Sequence, residues 1–340
     1  MTTAPFRLSV LDQSPIAEGS TAADAIRNTI DLARHTDRLG YDRYWLAEHH
    51  SSPGLAGAAP EALIGPIALA TERIRVGSGG IMLPHYSPFK VAETFRLLGA
   101  MAPGRIDLGL GRAAGSDQRT AYALQRDRSR GMPDDFAEHV QELLGYLADD
   151  LPASHPFGSL AKTLPSGADG SPDPWMLGTS PDSARWAGEM GLPYCIADFI
   201  NNQGVPLAAI YRSAFRPSRW AAKPHVMVGV WTLAADSRAE AERLMLPSRM
   251  MFSYLVRGEL IPIPSVEKAA AWAEGRHPSS GRSRRTVIGT GGEVRAELEQ
   301  VAELYGADEL MLVNIMPDHA ARKHSYTLVA EVFGLERGAA

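Results

Sequence analysis

Apolar residues in this chain come in short bursts, separated by longer stretches in which they recur every three or four positions. The bursts are Phe6–Leu11, Arg43–Ala47, Ile74–Gly79, Ile106–Gly111, Trp175–Leu177, Tyr194–Ala197, Val226–Thr232 and Glu309–Asn314. Their shortness and their β-branched and aromatic content predict strands, and the spacers predict helices. Thr21–Leu39 is the clearest spacer: Ala22, Ile26, Ile30 and Ala33 recur on one face and Gly40 supplies a stop. Glu61–Ala70 follows, then Pro88–Met101, with Ser87 as cap, Pro88 in the first turn and Val91, Phe95 and Leu98 as its stripe. Strand–helix alternation along the whole chain predicts an α/β fold with a mainly parallel sheet, and eight bursts predict a (β/α)8 TIM barrel. A doubly wound open sheet has the same periodicity, because the pattern does not say whether the last strand pairs with the first.

No repeat of fixed period and no dividing linker interrupts the pattern, so residues 1–340 are expected to form a single domain. Two stretches break the periodicity. Ser154–Pro174 is rich in Pro, Gly and Ser and is expected to loop between the fourth helix and the fifth strand. Arg257–Arg285 contains Ile261-Pro262-Ile263-Pro264 and then a basic, Ser-rich run from Arg276 to Arg285. It is expected to be an insertion between the seventh and eighth strands, either a lid over a site or a solvated excursion.

With 340 residues, 45% of them hydrophobic, the chain can bury a large core. A net charge of -5 gives no general attraction to nucleic acid or to an anionic membrane, so a small molecule or another subunit is the expected partner. The single cysteine, Cys195, excludes an intramolecular disulfide and a multi-cysteine zinc site, and nothing beside it in sequence would activate a thiol. Met1–Arg7 lacks the basic flank and apolar run of a signal peptide, and no segment reaches membrane-spanning length, so a cytoplasmic location is expected.

Titratable groups gather where the second strand ends, in Trp45-Leu46-Ala47-Glu48-His49-His50, at the C-terminal edge where parallel α/β folds build their sites. Adjacent histidines on a strand point to opposite sides and a third ligand is missing, so no metal site is expected. His49 shares parity with Trp45 and Ala47 and is the candidate acid or base, with His50 the other choice; Glu48 and one histidine can equally brace the loop. The fourth strand alternates strictly: Ile106, Leu108 and Leu110 should meet helices, and Asp107, Gly109 and Gly111 should point inward and leave open volume beside Arg112. In the third strand, Gly77-Ser78-Gly79-Gly80 would permit a ligand's close approach or form a bulge, and its spacing is not that of a dinucleotide fingerprint. Gly178-Thr179-Ser180-Pro181-Asp182-Ser183 opens a helix with Ser180 as cap; its free amides and hydroxyls could hold a phosphate monoester, although most such helix starts bind nothing. His85-Tyr86 could line the mouth or lie in solvent, and Trp231, at the end of the seventh strand, is a further candidate contact.

Ala47-Glu48-His49-His50, Gly77-Ser78-Gly79-Gly80 with Leu83-Pro84, and Pro103-Gly104-Arg105-Ile106-Asp107-Leu108-Gly109-Leu110-Gly111-Arg112 occur in an order and spacing that resemble the bacterial luciferase-like flavin-dependent monooxygenases. The resemblance runs from about Leu8 to Phe333, and Leu8-Ser9-Val10-Leu11-Asp12-Gln13-Ser14-Pro15 looks like a large bacterial subgroup whose substrates are mostly unassigned. It implies a homodimer formed through early helices and reduced FMN at the barrel mouth. His49 then matches a catalytic histidine, Ser78-Gly79-Gly80 the wall beside the ring, where relatives often carry a non-prolyl cis peptide, and Arg112 a flavin-contacting arginine. Thr179, Ser180 and Ser183 match the segment that holds the ribityl phosphate, and Arg257–Arg285 falls where luciferases have a mobile loop. Where luciferases proper carry a cysteine this chain has Gly111, so light emission does not transfer. The implied activity is oxygenation of a small organic substrate by O2 through a flavin C4a-hydroperoxide, with a separate flavin reductase as supplier of reduced FMN. An F420-dependent oxidoreductase transferring hydride, to whose acidic cofactor tail the Arg276–Arg285 run would suit, and a non-catalytic flavin-binding protein are the alternatives.

Overall fold

The computed structural model describes residues 6–112, 117–125, 135–165, 170–275 and 285–335. The strands are β1 (Arg7–Asp12), β2 (Arg43–Leu46), β3 (Arg75–Met82), β4 (Ile106–Gly111), β5 (Asp173–Gly178), β6 (Tyr194–Ile196), β7 (Val226–Ala234), β8 (Thr286–Gly289) and β9 (Glu309–Val313). Each strand from β1 to β7 pairs in parallel with the next, and β9 lies between β7 and β1, so the sheet closes on itself. The eight predicted bursts are the staves of this barrel. β8 is additional: Thr286–Gly289 pairs with the last residues of β7, from Trp231↔Thr286 to Ala234↔Gly289.

The helices are α1 (Ala22–Leu39), α2 (Pro60–Ala70), α3 (Pro88–Met101), α4 (Gln118–Leu124), α5 (Phe136–Ala148), α6 (Pro181–Glu189), α7 (Val205–Ala214), α8 (Arg238–Leu255), α9 (Val266–Ala273), α10 (Gly291–Tyr305) and α11 (His319–Phe333). α1 starts where predicted, on a capping box between Thr21 and Asp24, and ends at Gly40 in the left-handed region with φ 89°. α3 departs in one detail. Ser87 makes no side-chain cap bond, and Pro88 marks that start through its fixed φ.

Period-two alternation divides the apolar residues into two layers. Val10, Tyr44, Val76, Leu108, Leu110, Val228 and Leu312 pack outward against the helices, whereas Leu11, Trp45, Trp175, Cys195, Met227, Trp231 and Val313 fill the barrel. The N-terminal half of the interior is polar but fully committed. Arg43 lies 2.8 Å from Asp107 and 3.1 Å from Glu309, Arg75 lies 2.7 Å from Asp107, and the Trp45 indole N–H donates to Asp107 at 2.9 Å. Ser9 donates to Glu309, and the Arg43 guanidinium stacks 4.7 Å from the Trp175 ring centroid. This floor holds its charges against one another, which leaves the C-terminal edge to receive a ligand.

The stretch after α8 is less irregular than its sequence suggests. It contains α9, and before that helix Ile263 forms a parallel bridge with Ala17 through Ile263 N–H to Ile16 O at 2.9 Å and Glu18 N–H to Ile263 O at 2.8 Å. The first half of the expected lid is therefore fastened to the loop that follows β1. The basic run 276–284 lies outside the described residues. Among the described residues no helix is long and apolar enough to cross a membrane, and no group of three or more His, Cys, Asp or Glu could hold a metal ion.

Candidate functional site

At the C-terminal edge, β2 ends at Leu46 and the chain continues through Ala47-Glu48-His49-His50. Glu48 is fully buried. Its Oε2 accepts the Met82 N–H at 2.9 Å, while Oε1 accepts the Tyr86 hydroxyl at 3.1 Å and lies 2.8 Å from His50 Nε2. His50 in turn packs edge-on against His85, with ring centroids 6.1 Å apart. The bracing role left open in the sequence thus falls to Glu48 and His50. Between them, His49 is half-buried and donates its backbone N–H to Gly57 O at 2.8 Å. Burial, and then the charge of Glu48, push the Tyr86 phenol well up, so it stays a hydrogen-bond donor across the usual pH range.

β3 supplies a wall without side chains. Its register with β4 shifts between Ser78 and Ile81, and the Gly79-Gly80 peptide is cis, so the strand contains both the bulge and the cis bond. A Cβ on Gly79 would meet Leu11 Cδ1 at 2.6 Å, and one on Gly80 would meet the Gly109 carbonyl oxygen at 2.7 Å. Gly109 differs from the expectation of open volume: its Cβ would stand 2.2 Å from the Ser78 carbonyl oxygen. The missing side chain there lets two backbones touch, and the Ser78 hydroxyl donates to Gly109 O at 3.0 Å. Gly111 is the looser position, its nearest neighbour being Met82 Sδ at 3.5 Å.

Beyond β5 the predicted helix start is present. Ser180 caps α6 by accepting the Ser183 N–H at 3.2 Å, and Ser183 is buried, donating to Ser180 O at 2.8 Å and lying 3.0 Å from the Tyr194 hydroxyl. Gly178 makes this turn feasible, since a Cβ there would stand 2.2 Å from Ser183 Oγ. Thr179 and Ser180 are half-buried, so of this group they are the more open to a ligand. Arg112, exposed at the end of β4, places its guanidinium 5.5 Å from the ring centroid of Trp186 on α6. Arg112 thus lies against the same helix that opens at Ser180.

In a ring of eight staves β7 stands opposite β3. Trp231 is 3% exposed inside the barrel and meets Phe252 edge-on at 4.9 Å, and the Phe199 ring lies so close over β7 that a Cβ on Gly229 would approach it to 2.9 Å. A glycine wall thus faces an aromatic one. Cys195 is buried within the interior layer, and burial pushes its thiol up, which leaves it a packing residue. Sequence reasoning missed Met82, left Tyr86 open between mouth and solvent and gave Gly178 no task of its own, because each acts through a neighbour that only the fold supplies.

A family model described as luciferase-like monooxygenase matches residues 6–308. The chain is 39% identical over 338 residues to a luciferase-like monooxygenase of Escherichia coli, covering 98% of each chain. It is 37% identical over 331 residues to an N-acetyl-S-alkylcysteine monooxygenase of Bacillus subtilis, covering 96% of this chain and 98% of that one. Among solved structures, apo-MsnO8 superposes with a TM-score of 0.89 at 38% identity and 98% coverage of both chains. At the level of the fold alone, the barrel is shared with the FMN complex of the oxygenating constituent of 3,6-diketocamphane monooxygenase of Pseudomonas putida, TM-score 0.72, 21% identity, 96% and 97% coverage. An F420-dependent secondary alcohol dehydrogenase shares it as well, with TM-score 0.63, 18% identity and 98% of both chains covered.

Proposed function

The chain belongs to the luciferase-like monooxygenase family, and from that premise we propose that it uses reduced FMN, delivered by a separate flavin reductase, and O2 to oxygenate a small organic substrate. The observation that carries this reading is the pairing, at one barrel mouth, of a side-chain-free wall with a hydroxyl-bearing helix start and an arginine. The residues fit the cofactor. A flat isoalloxazine can lie against bare backbone, which Gly79-Gly80 supplies, with the aromatic Trp231 on the opposite stave. A phosphate needs amides, hydroxyl donors and a cation, which the α6 start, Thr179, Ser180 and Arg112 offer, with the buried Ser183 bracing the turn beneath them. FMN would supply the oxygen-activating chemistry. The protein's own work is to orient the ring against Gly79-Gly80, to keep water from the Trp231 side, and to hold or release a proton at the His49 imidazole.

Anaerobic titration with reduced FMN, and separately with reduced F420, followed by admission of O2 in a stopped-flow spectrometer, tests the reading. Binding of reduced FMN and oxygen-dependent turnover are expected. Selective binding of F420 with oxygen-independent turnover would overturn it, and tight FMN binding without any turnover would mark a flavin-binding protein. N-acetyl-S-alkylcysteines are the first substrates to offer, because a relative of 37% identity bears that name. In the same assay His49→Ala should keep FMN affinity within about twofold and lower turnover by roughly 10²–10⁴, the usual worth of a positioned acid or base. Full turnover in that variant would remove His49 from the chemistry.

We propose further that the enzyme is a homodimer through α2 and α3, which pack on each other at Gly65, Leu98 and Met101 and leave Leu69 68% and Leu97 54% exposed. Apolar side chains of this size on neighbouring helices are best covered by a second copy. Leu69→Arg with Leu97→Arg should shift the mass in analytical ultracentrifugation from dimer to monomer; an unchanged mass would place the interface elsewhere.

A further inference from the structure

The backbone ladder between β2 and β3 ends at Leu46↔Ser78, one residue before the glycine wall begins. Beyond it the edge that carries His49 and the edge that carries Gly79-Gly80 are no longer joined by strand pairing. Glu48 stands in this gap. Its carboxylate reaches from the His49 edge to the Met82 N–H, two residues past Gly80, and to the Tyr86 hydroxyl just beyond. His50 holds the other side of the same carboxylate. Both of its oxygens have partners inside the protein, and the side chain is fully buried, so it has no exposed face to offer a substrate.

We propose that Glu48 is a positioning residue, a side-chain staple that continues the lost β2–β3 ladder and fixes the spacing between His49 and the Gly79-Gly80 wall. The proposal rests on the reading of this mouth as a flavin site, and it assigns Met82 and Tyr86 to the support of that site. A carboxylate accepting several hydrogen bonds, among them a backbone N–H, is stiffer than a lone contact. A catalytic imidazole needs placement to about half an ångström, which a frayed strand end does not provide. The burial of Glu48, otherwise an expense to the fold, is explained by this task.

FMN affinity, from quenching of flavin fluorescence, and the visible circular dichroism of bound FMN should be measured for the wild type, Glu48→Ala, Glu48→Gln and Tyr86→Phe. Glu48→Ala is expected to weaken FMN binding at least about tenfold and to change the dichroism, since the wall and the His49 edge drift apart. Glu48→Gln keeps an oxygen for the Met82 N–H and should recover most of the wild-type dichroism, while Tyr86→Phe should cost about two- to threefold in affinity. Glu48→Ala with wild-type affinity and spectrum would overturn the proposal, as would Glu48→Gln impaired as fully as Glu48→Ala, which would assign the effect to charge. Should Glu48→Ala fail to fold, Tyr86→Phe decides, an unchanged affinity and spectrum counting against the staple. A wild type that binds no FMN sinks the flavin reading alone. Amide exchange at Met82 then tests the staple without cofactor, and unaltered protection in Glu48→Gln or Glu48→Ala would overturn it.

Discussion

Arg43→Met should destabilise the protein by about 3–5 kcal/mol at neutral pH, and the deficit should shrink as the solution is acidified. Arg43 is the cation between two fully buried carboxylates, 2.8 Å from Asp107 and 3.1 Å from Glu309. Methionine fills much of the volume but leaves Glu309 with only Ser9 and His225 as the polar partners described for it. Against a total stability of about 5–15 kcal/mol, such a loss is large. The pH dependence follows from the sign of the shift. Burial raises the Glu309 carboxyl, but the charge of Arg43 and hydrogen bonds from His225 and Ser9 outweigh it and hold it at about 2, below its ordinary 4.5. In the wild type this carboxylate therefore contributes stability above about pH 4.5 and loses it as pH falls toward 2. Without Arg43 the largest influence lowering this carboxyl is gone and burial pushes it up, so the folded variant should take up a proton more readily as the solution is acidified. Its deficit should then narrow as pH falls from 7 toward 4.5, a range in which the contribution of Glu309 to the wild type changes little. Thermal melts of both proteins at pH 7 and pH 5 check this. An equal gap at the two pH values, or one below about 1 kcal/mol, would mean that the floor is not held by Arg43.

The barrel was legible because every stave is a burst whose two parities differ in chemistry. In β4, Ile106, Leu108 and Leu110 meet helices, and Asp107 turns inward to Arg43 and Trp45. β8 escaped the same reasoning because Thr286–Gly289 is four residues long and directly follows the basic run, so no alternation could develop. α9 and the Ala17–Ile263 bridge escaped because a bridge is a long-range contact, and Ile261-Pro262-Ile263-Pro264 reads as coil until its partner is known. At the site, the helix start of α6 could be read from Ser180, Pro181 and Ser183, since capping is local chemistry that spacing records. The division of labour within Glu48-His49-His50 could not. It depends on Met82 and Tyr86, which the fold brings to Glu48 from the end of β3. For Gly109 the sequence showed a missing side chain but not its reason, and a carbonyl of the neighbouring strand fills the space that parity alone left open.

Gly109→Ala is expected to be the most damaging single-methyl change at the mouth, lowering stability by about 1–3 kcal/mol and FMN affinity by at least about tenfold. The added Cβ would stand 2.2 Å from the Ser78 carbonyl oxygen and 2.9 Å from Leu177 Cδ1. A leucine tip can rotate away, but the Ser78 carbonyl cannot: it is backbone of β3, held at the register shift against β4. Relief therefore requires β3 and β4 to separate at the point where the Ser78 hydroxyl donates to Gly109 O, and the glycine wall moves with β3. Gly111→Ala is the control, two residues along the same face of the same strand. There the new Cβ meets Met82 Sδ at 3.5 Å, an ordinary contact, so stability should change by less than about 0.5 kcal/mol. Denaturant unfolding and flavin fluorescence titration of the two variants side by side separate a clash from a mere added methyl. Similar losses in both would show that the mouth tolerates no methyl on this face. Wild-type FMN affinity in a folded Gly109→Ala protein would show that the position of β3 against β4 does not set the proposed flavin wall.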